Sequence, residues 1–314
     1  MKAILILAGI ASAICLVATS ILLRGGAPTQ PAVICPPILG IAHIALRVKD
    51  AAAARNFFGH DLGFDELPLE ETAKGGMHYA YFKVSDDQYI AVSPTLSSPT
   101  EDRLIHIAYR TTDARRLRRY LAGRGVAVPA ALQKDPEGDL SFSVQDPAGH
   151  TAEFIQYLPG SVESRNFGRF LSTARTSHQI IHAGETVQDR AAADGFYRGI
   201  LGYREMWYGG MTDNRTDWVD MVVPNGKNWL EFMLNAHNPS PRQRGGMDHF
   251  SLGVKNVHQV YDTVVARGYQ AGKPKIGRDG KWQLNLFDPD LTRVEFMEFK
   301  HVRKPCCSPM RTFN

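Results

Sequence analysis

Cysteine is scarce. There are four in 314 residues, Cys15, Cys35, Cys306 and Cys307, and no spacing among them suits a metal finger. A strong charge balance is also missing. Thirty-six Lys and Arg stand against 32 Asp and Glu, a formal net charge of +4. No dense basic run occurs in the body of the chain, which argues against a nucleic-acid partner. The nearest thing to one, Arg115, Arg116, Arg118 and Arg119, reads as a solvated helix face. Apolar side chains are not lacking: 44% hydrophobic residues are enough for sizeable cores without disulfide staples. The length suits two domains of ordinary size.

The longest apolar run stands at the start. Met1 to Ile21 is apolar apart from Lys2, Ser12, Thr19 and Ser20. Residues 1–24 are expected to be a signal peptide or a membrane anchor, and 25–38 a Pro-rich tether. The protein is expected to be exported across a bacterial inner membrane, periplasmic or anchored there. Cys35 and the Cys306–Cys307 pair lie near opposite ends of the mature chain, so either a disulfide ties the ends or the thiols are unpaired.

The body repeats itself four times. His43, His106, His182 and His249 each open a strand-like run, and Asp50, Asp113, Asp189 and Asn256 follow seven residues later. After each comes a helix pattern, the first over Ala51 to Phe58 with Asp50 as N-cap, which the third unit repeats from Asp189. Leu62-Gly63-Phe64 and Leu201-Gly202-Tyr203 end the first and third helices, where Gly suits a left-handed position. About three strands follow each helix, split by turns such as Asp146-Pro147 and Asp288-Pro289. Units one and three match, as do two and four, so a two-unit block is duplicated. The boundaries expected are 39–160 for the first domain, 176–300 for the second and 301–314 for a tail, with a hinge over Pro159 to Ser177.

The last strands carry Glu153, Glu231 and Glu295, each between apolar neighbours, while Ala91 fills that slot in unit one. A carboxylate at such a place is costly to bury without a partner. Three of them at one place in a repeat, beside four matching histidines, suggest metal ligands. The remaining histidines, His60, His78, His150, His178, His237, His258 and His301, read as ordinary core or surface groups. The four tryptophans, Trp207, Trp218, Trp229 and Trp282, read as core packing.

On these motifs the chain resembles the vicinal oxygen chelate superfamily, which includes glyoxalase I, extradiol dioxygenases, fosfomycin-resistance proteins and methylmalonyl-CoA epimerase. The resemblance covers roughly Leu39 to Phe299. It implies an α+β fold of four βαβββ modules, forming two cup-shaped sheets, each around a divalent metal (Fe, Ni, Zn, Co or Mn). Carried over by position, the ligands are His182, Glu231, His249 and Glu295 in one site, in the order glyoxalase I-like proteins show. The other site has His43, His106 and Glu153, a two-His, one-carboxylate set like that of non-haem iron oxygenases. If units one and four pair instead, the sets become His43, His249, Glu295 and His106, Glu153, His182, Glu231.

The resemblance implies a metal-dependent enzyme acting on a small oxygenated molecule. The first expectation is a glyoxalase-like lyase or isomerase in which Glu231 or Glu295 leaves the metal and moves a proton. The export leader and the lack of a recognisable glutathione-carboxylate site count against a glutathione-dependent enzyme. A ring-cleaving dioxygenase is the second reading; the extradiol pattern has a His before its Asp-Pro turn, and Gly280 to Phe287 holds none. A third is a non-catalytic small-molecule or metal-binding protein, against which the retained ligand residues argue. One fold hosts many chemistries, and the substrate and oligomeric state are not given by residues alone.

Overall fold

The computed structural model describes residues 34–68, 79–135, 137–236, 239–240, 243–244 and 247–313. The expected leader over 1–24 and the first part of the tether lie outside the described residues. No described helix is long and apolar enough to cross a membrane.

Each histidine lies on a strand: β1 (Ile38–Arg47), β5 (Leu104–Thr111), β9 (Ile180–Thr186) and β13 (His249–Val254); only His249 opens its own, and the other three strands begin earlier than expected. The Asp or Asn seven residues on then caps a helix in all four units. Asp50 Oδ1 accepts from Ala52 N at 2.7 Å, Asp113 Oδ1 from Arg116 N at 2.8 Å, Asp189 Oδ1 from Ala192 N at 3.0 Å and Asn256 Oδ1 from His258 N at 2.9 Å. Each such cap contributes about 1 kcal/mol. The solvated face expected of Ala114–Gly123 is present, since Arg115, Arg116 and Arg119 are exposed and Leu117 and Leu121 are buried.

The first sheet adds β2 (Asp65–Glu66), β3 (Ala80–Lys83), β4 (Tyr89–Ser93), β6 (Gln133–Lys134), β7 (Leu140–Gln145) and β8 (Thr151–Gln156). Its order is β2-β3-β4-β1-β5-β8-β7-β6. The second adds β10 (Arg204–Gly209), β11 (Trp218–Val222), β12 (Trp229–Met233), β14 (Lys275–Ile276), β15 (Lys281–Phe287) and β16 (Arg293–His301). Its order, β10-β11-β12-β9-β13-β16-β15-β14, copies the first. Unit one therefore pairs with two and unit three with four, which settles the question the sequence leaves open. The two modules of each sheet meet antiparallel, β1 on β5 and β9 on β13.

Alternation along the strands divides chemistry from core. In β8, Ala152 and Phe154 turn into the main apolar core, and Glu153 turns the other way. The two sheets meet through a matched pair of amides, one residue before β4 and one before β12. Gln88 Nε2 donates to Ile41 O and Ile180 O at 3.0 and 2.9 Å, and its Oε1 accepts from Ile180 N at 2.9 Å. Asn228 Nδ2 donates to Ile180 O at 2.7 Å, and its Oδ1 accepts from Ile41 N at 3.1 Å.

Three local expectations need correction. The first helix is α-helical only over Ala51–Arg55 and continues as a π-helix over Asn56–Asp61; the third does the same, Arg190–Asp194 then Gly195–Ile200. Leu62 N reaches back to Phe57 O at 2.9 Å, and Leu201 N to Phe196 O at 3.0 Å. The wider turn accompanies burial of two consecutive aromatics, Phe57-Phe58 and Phe196-Tyr197. Gly63 and Gly202 then take φ of +77° and +82°, as expected. Second, the ends are not tied by a disulfide: Cys306 bonds to Cys307, and Cys35 is free.

Third, Pro159 to Ser177 does divide the two sheets, as expected, but it is packed as a strap rather than left as a free connection. It contains the short helix Val162–Arg165, and the buried Lys83 ammonium donates to Asn166 O and Arg169 O at 2.5 and 2.9 Å. A buried ammonium has to be met by acceptors; Asp86 supplies the carboxylate at 2.8 Å and the strap supplies the two carbonyls. The strap also buries Glu163, whose carboxyl is pushed up to about 9 by burial and by the neighbouring Asp139. Burial likewise raises Asp135 to about 7. These acids keep their protons longer folded than unfolded, so the unfolded chain binds fewer protons as pH rises and stability falls through this window. The urea midpoint is expected to drop between pH 5 and pH 9, by the equivalent of a few kcal/mol. Glu163→Gln should remove much of that slope; an unchanged slope would refute the assignment.

Candidate metal centres

The repeat places one histidine pair across the central seam of each sheet. In the first, Ala45 lies opposite His106 and His43 opposite Ala108, so the two rings meet diagonally. His43 Nε2 and His106 Nε2 are 2.7 Å apart, and Glu153 Oε2 is 3.3 Å from the first and 3.1 Å from the second. Tyr89 stacks on His43 with ring centroids 4.5 Å apart and fixes its plane. In the second sheet, His182 Nε2 and His249 Nε2 are 3.1 Å apart. Glu295 Oε2 lies 3.2 Å from His182 and 3.9 Å from His249; Glu231 Oε2 lies 4.0 and 3.3 Å from the same two atoms. Gly184 makes this possible, because a Cβ there would fall 2.0 Å from the His249 ring.

Protonation follows from this crowding. Burial lowers His43 and His249, so both favour the neutral ring. Burial acts to raise Glu153, but the His106 charge and hydrogen bonds from His106 and His43 outweigh it and hold the carboxyl well below its usual range. In the same way, bonding to His182 and the charges of both histidines overcome burial at Glu295 and lower it to about 2. These depressed carboxylates contribute stability above about pH 4.5 that is lost only as pH falls towards 2, outside the window set by Glu163.

The donor atoms fit a divalent ion. Six donors about 2.1 Å from a common centre stand about 3.0 Å apart at right angles. The Nε2, Nε2 and Oε2 separations of 2.7–3.3 Å in the first cup are of that size. His249 donates from Nδ1 to Met247 O at 3.1 Å, which leaves its Nε2 lone pair facing Glu231 and His182. A backbone partner of this kind commonly orients a metal-ligating imidazole. The residues picked from sequence are therefore brought together in two groups: His43, His106 and Glu153; and His182, His249 and Glu295 with Glu231 beside them. The alternative grouping is excluded by the strand order.

The two cups differ in space. Ala91 stands opposite Ala45 in β1, the place Glu231 holds opposite Gly184. Over the first group opens a cavity of about 710 Å³, walled by Tyr79, Tyr81, Tyr89, Phe142 and Glu137. Over the second it is about 230 Å³, lined by Trp207, Trp218, Asp220, Arg278 and Arg293. Two of the tryptophans expected in the core thus face a site, because β10 and β11 form one wall of the cup; Trp229 is buried beside the His182 ring at 4.9 Å, the place Tyr89 holds beside His43. The tail helps close this cup: Trp207 Nε1 donates to Cys306 O at 3.1 Å, and Arg311 N to Met206 O at 2.9 Å.

Sequence reasoning passed over His150, which meets Asp102 and Asp248 in a third cluster. The available signal was that His150 ends the Asp146 turn where the matching turn of unit four has Thr292.

Solved structures share this architecture. A mutant homoprotocatechuate 2,3-dioxygenase from Brevibacterium fuscum matches at 19% identity, covering 86% of this chain and 74% of its own, with a TM-score of 0.64. The Mn(II)-bound glyoxalase from Novosphingobium aromaticivorans matches at 16%, covering 85% and 84%, TM-score 0.65. The 2,3-dioxygenase LapB from Pseudomonas sp. KL28 matches at 13%, covering 88% and 98%, TM-score 0.65. At these identities the likeness speaks for the fold. No curated protein sequence matches the chain. The sequence profile of one family matches it twice, over residues 40–154 and 179–296: the chain belongs to the Glyoxalase/Bleomycin resistance protein/Dioxygenase superfamily.

Proposed function

We propose that the chain is a divalent-metal-dependent enzyme whose substrate site is the N-terminal cup, and that it cleaves a small aromatic diol with dioxygen. The observation that carries this is the three-donor group under the 710 Å³ tyrosine-lined cavity, with Ala91 where a fourth donor would stand. That volume is in the range of small-molecule sites, and the 230 Å³ of the second cup falls below it. A bound ion supplies Lewis acidity toward two neighbouring oxygens, and a two-His, one-carboxylate set keeps the open positions that oxygenase chemistry uses.

His43, His106 and Glu153 hold the ion, and Tyr89 keeps the His43 plane. Tyr81 and Tyr89, 5.0 Å apart and edge-on, present apolar ring surface to an aromatic substrate and keep water off it. The Tyr81 hydroxyl donates to Glu137 Oε1 at 2.6 Å, so the wall has a polar pair able to orient a substrate hydroxyl. Homoprotocatechuate 2,3-dioxygenase, similar in fold, has been solved with 3,4-dihydroxyphenylacetate bound, a diol of this class. Oxygen uptake by the Fe(II)-loaded full chain with a panel of catechols and hydroquinones tests the reading; no uptake with any would sink it. Ala91→Glu, which gives this cup the fourth donor of its twin, should keep the metal and lower uptake by about 10–100-fold.

The second cup supports a lyase or isomerase reading. Glu231 is the most loosely placed of its four donors, 4.0 Å from His182 Nε2, which suits a carboxylate that leaves the ion and takes a proton. In that reading Glu231 and Glu295 are the catalytic pair. Hemithioacetal conversion with Ni, Zn, Co or Mn, lost in Glu231→Gln while oxygen uptake persists, separates the two cups. Residues 1–24 support export, with the protein periplasmic or anchored in an inner membrane, a placement that cell fractionation checks.

A further inference from the structure

Between the two sheets, away from both cups, three side chains converge whose chemistry is incomplete. Asp102 precedes β5 and His150 precedes β8, both in the first sheet; Asp248 precedes β13 in the second. One donor atom from each lies within 4.8 Å of the others. His150 is 5% exposed and Asp248 2%.

The hydrogen bonds around the cluster define which atoms are left over. His150 Nε2 lies 2.9 Å from Thr186 O. A carbonyl can only accept, so Nε2 carries the proton and the neutral ring has a bare lone pair at Nδ1. Asp248 Oδ1 accepts from Thr186 N at 2.7 Å, and Asp102 Oδ1 accepts from Leu104 N at 3.0 Å. Asp248 Oδ2 is buried and has no hydrogen-bond partner. It faces His150 Nδ1 at 3.8 Å, too far for a hydrogen bond. A tetrahedral ion about 2.1 Å from each would hold the two donors about 3.4 Å apart, so a closure of a few tenths of an ångström brings both within reach of one ion. Arg244 Nε lies 4.0 Å from Asp102 Oδ2 and pairs with that carboxylate, so the buried Asp248 oxygen is the atom that calls for a cation.

We infer that Asp102, His150 and Asp248 form a third divalent-cation site, one that ties the first sheet to the second. One imidazole and two carboxylates suit zinc or a similar borderline ion rather than calcium, and the His150–Thr186 bond is the outer support such an imidazole has. The repeat does not demand this cluster. Where His150 ends one turn, Thr292 ends the matching one, and Ile105 holds the place in unit two that Asp248 holds in unit four. The ion would also fix the chain entering β13, whose first residue is His249.

Zinc titration of the full chain, without reductant, tests the site independently of what either cup does. His43→Ala removes one of the two imidazoles of the first cup, and His182→Ala with His249→Ala removes both from the second. This triple variant is expected to bind one equivalent of zinc. Adding His150→Asn should weaken that binding by more than the 10–100-fold typical of losing an outer-shell partner. Asp102→Asn in the otherwise unaltered chain should lower the zinc count by one, a readout that survives if the triple variant does not fold. An unchanged count in Asp102→Asn, or no zinc in the folded triple variant, overturns the site.

Discussion

Glu153→Gln is expected to empty the N-terminal cup of metal and to lower turnover there by about 10²–10³-fold, while costing the fold only the electrostatic stability that the depressed carboxylate gives above about pH 4.5. The argument rests on charge and place. Glu153 provides the anionic oxygen within 3.1–3.3 Å of two imidazole nitrogens, so the amide keeps the shape but loses the charge that an ion needs. Its side chain faces the cavity and packs against little that holds the sheet together. Elemental analysis should show one equivalent fewer than in the unaltered chain, and Glu295→Gln should not affect oxygen uptake. Full uptake by a Glu153→Gln protein would place the reaction elsewhere.

Phe154→Ala, one residue on, should do the reverse. Phe154 is fully buried, with Phe142 and Tyr109 at ring-centroid distances of 5.4 and 6.0 Å. Truncating such a ring in a well-packed core costs about 3–5 kcal/mol, lost transfer energy plus the cavity left behind. The urea midpoint should fall steeply, whereas metal per folded molecule should stay unchanged. A loss under about 1 kcal/mol would mean the core closes over the gap. Neighbouring residues on one strand thus separate function from stability, because strand geometry sends them to opposite faces.

That alternation explains why so much was legible. Strand faces repeat every two residues, and a four-fold repeat marks the same face four times, so His43, His106, Glu153, His182, Glu231, His249 and Glu295 could be named from position alone. The caps at Asp50 and Asp189 were legible because capping is local chemistry, and Asp113 and Asn256 cap in the same way. Module pairing was not, since no residue of a strand names its partner across a long connection. Nor were the π turns, which depend on what Phe57 and Phe58 meet in the core, or the place of Trp207 and Trp218 in the wall of the second cup. The inequality of the cups was visible as Ala91, but its consequence in volume was not. His150 was missed because the three residues of its cluster come from three separate loops.

The amide pair that joins the sheets has a further consequence. Gln88 and Asn228 reach across to Ile41 and Ile180 in mirrored fashion, the signature of an isologous contact, as in a two-fold symmetric dimer. Here both halves belong to one chain. A covalent connection holds them at an effective concentration on the order of millimolar, so the contact between them need not be strong enough to assemble free partners. It also lifts the demand that every change appear twice, as it must in a true homodimer. A fused pair can open one cup and keep the other tight, and Ala91 facing one centre while Glu231 faces the other is that freedom written into a single polypeptide.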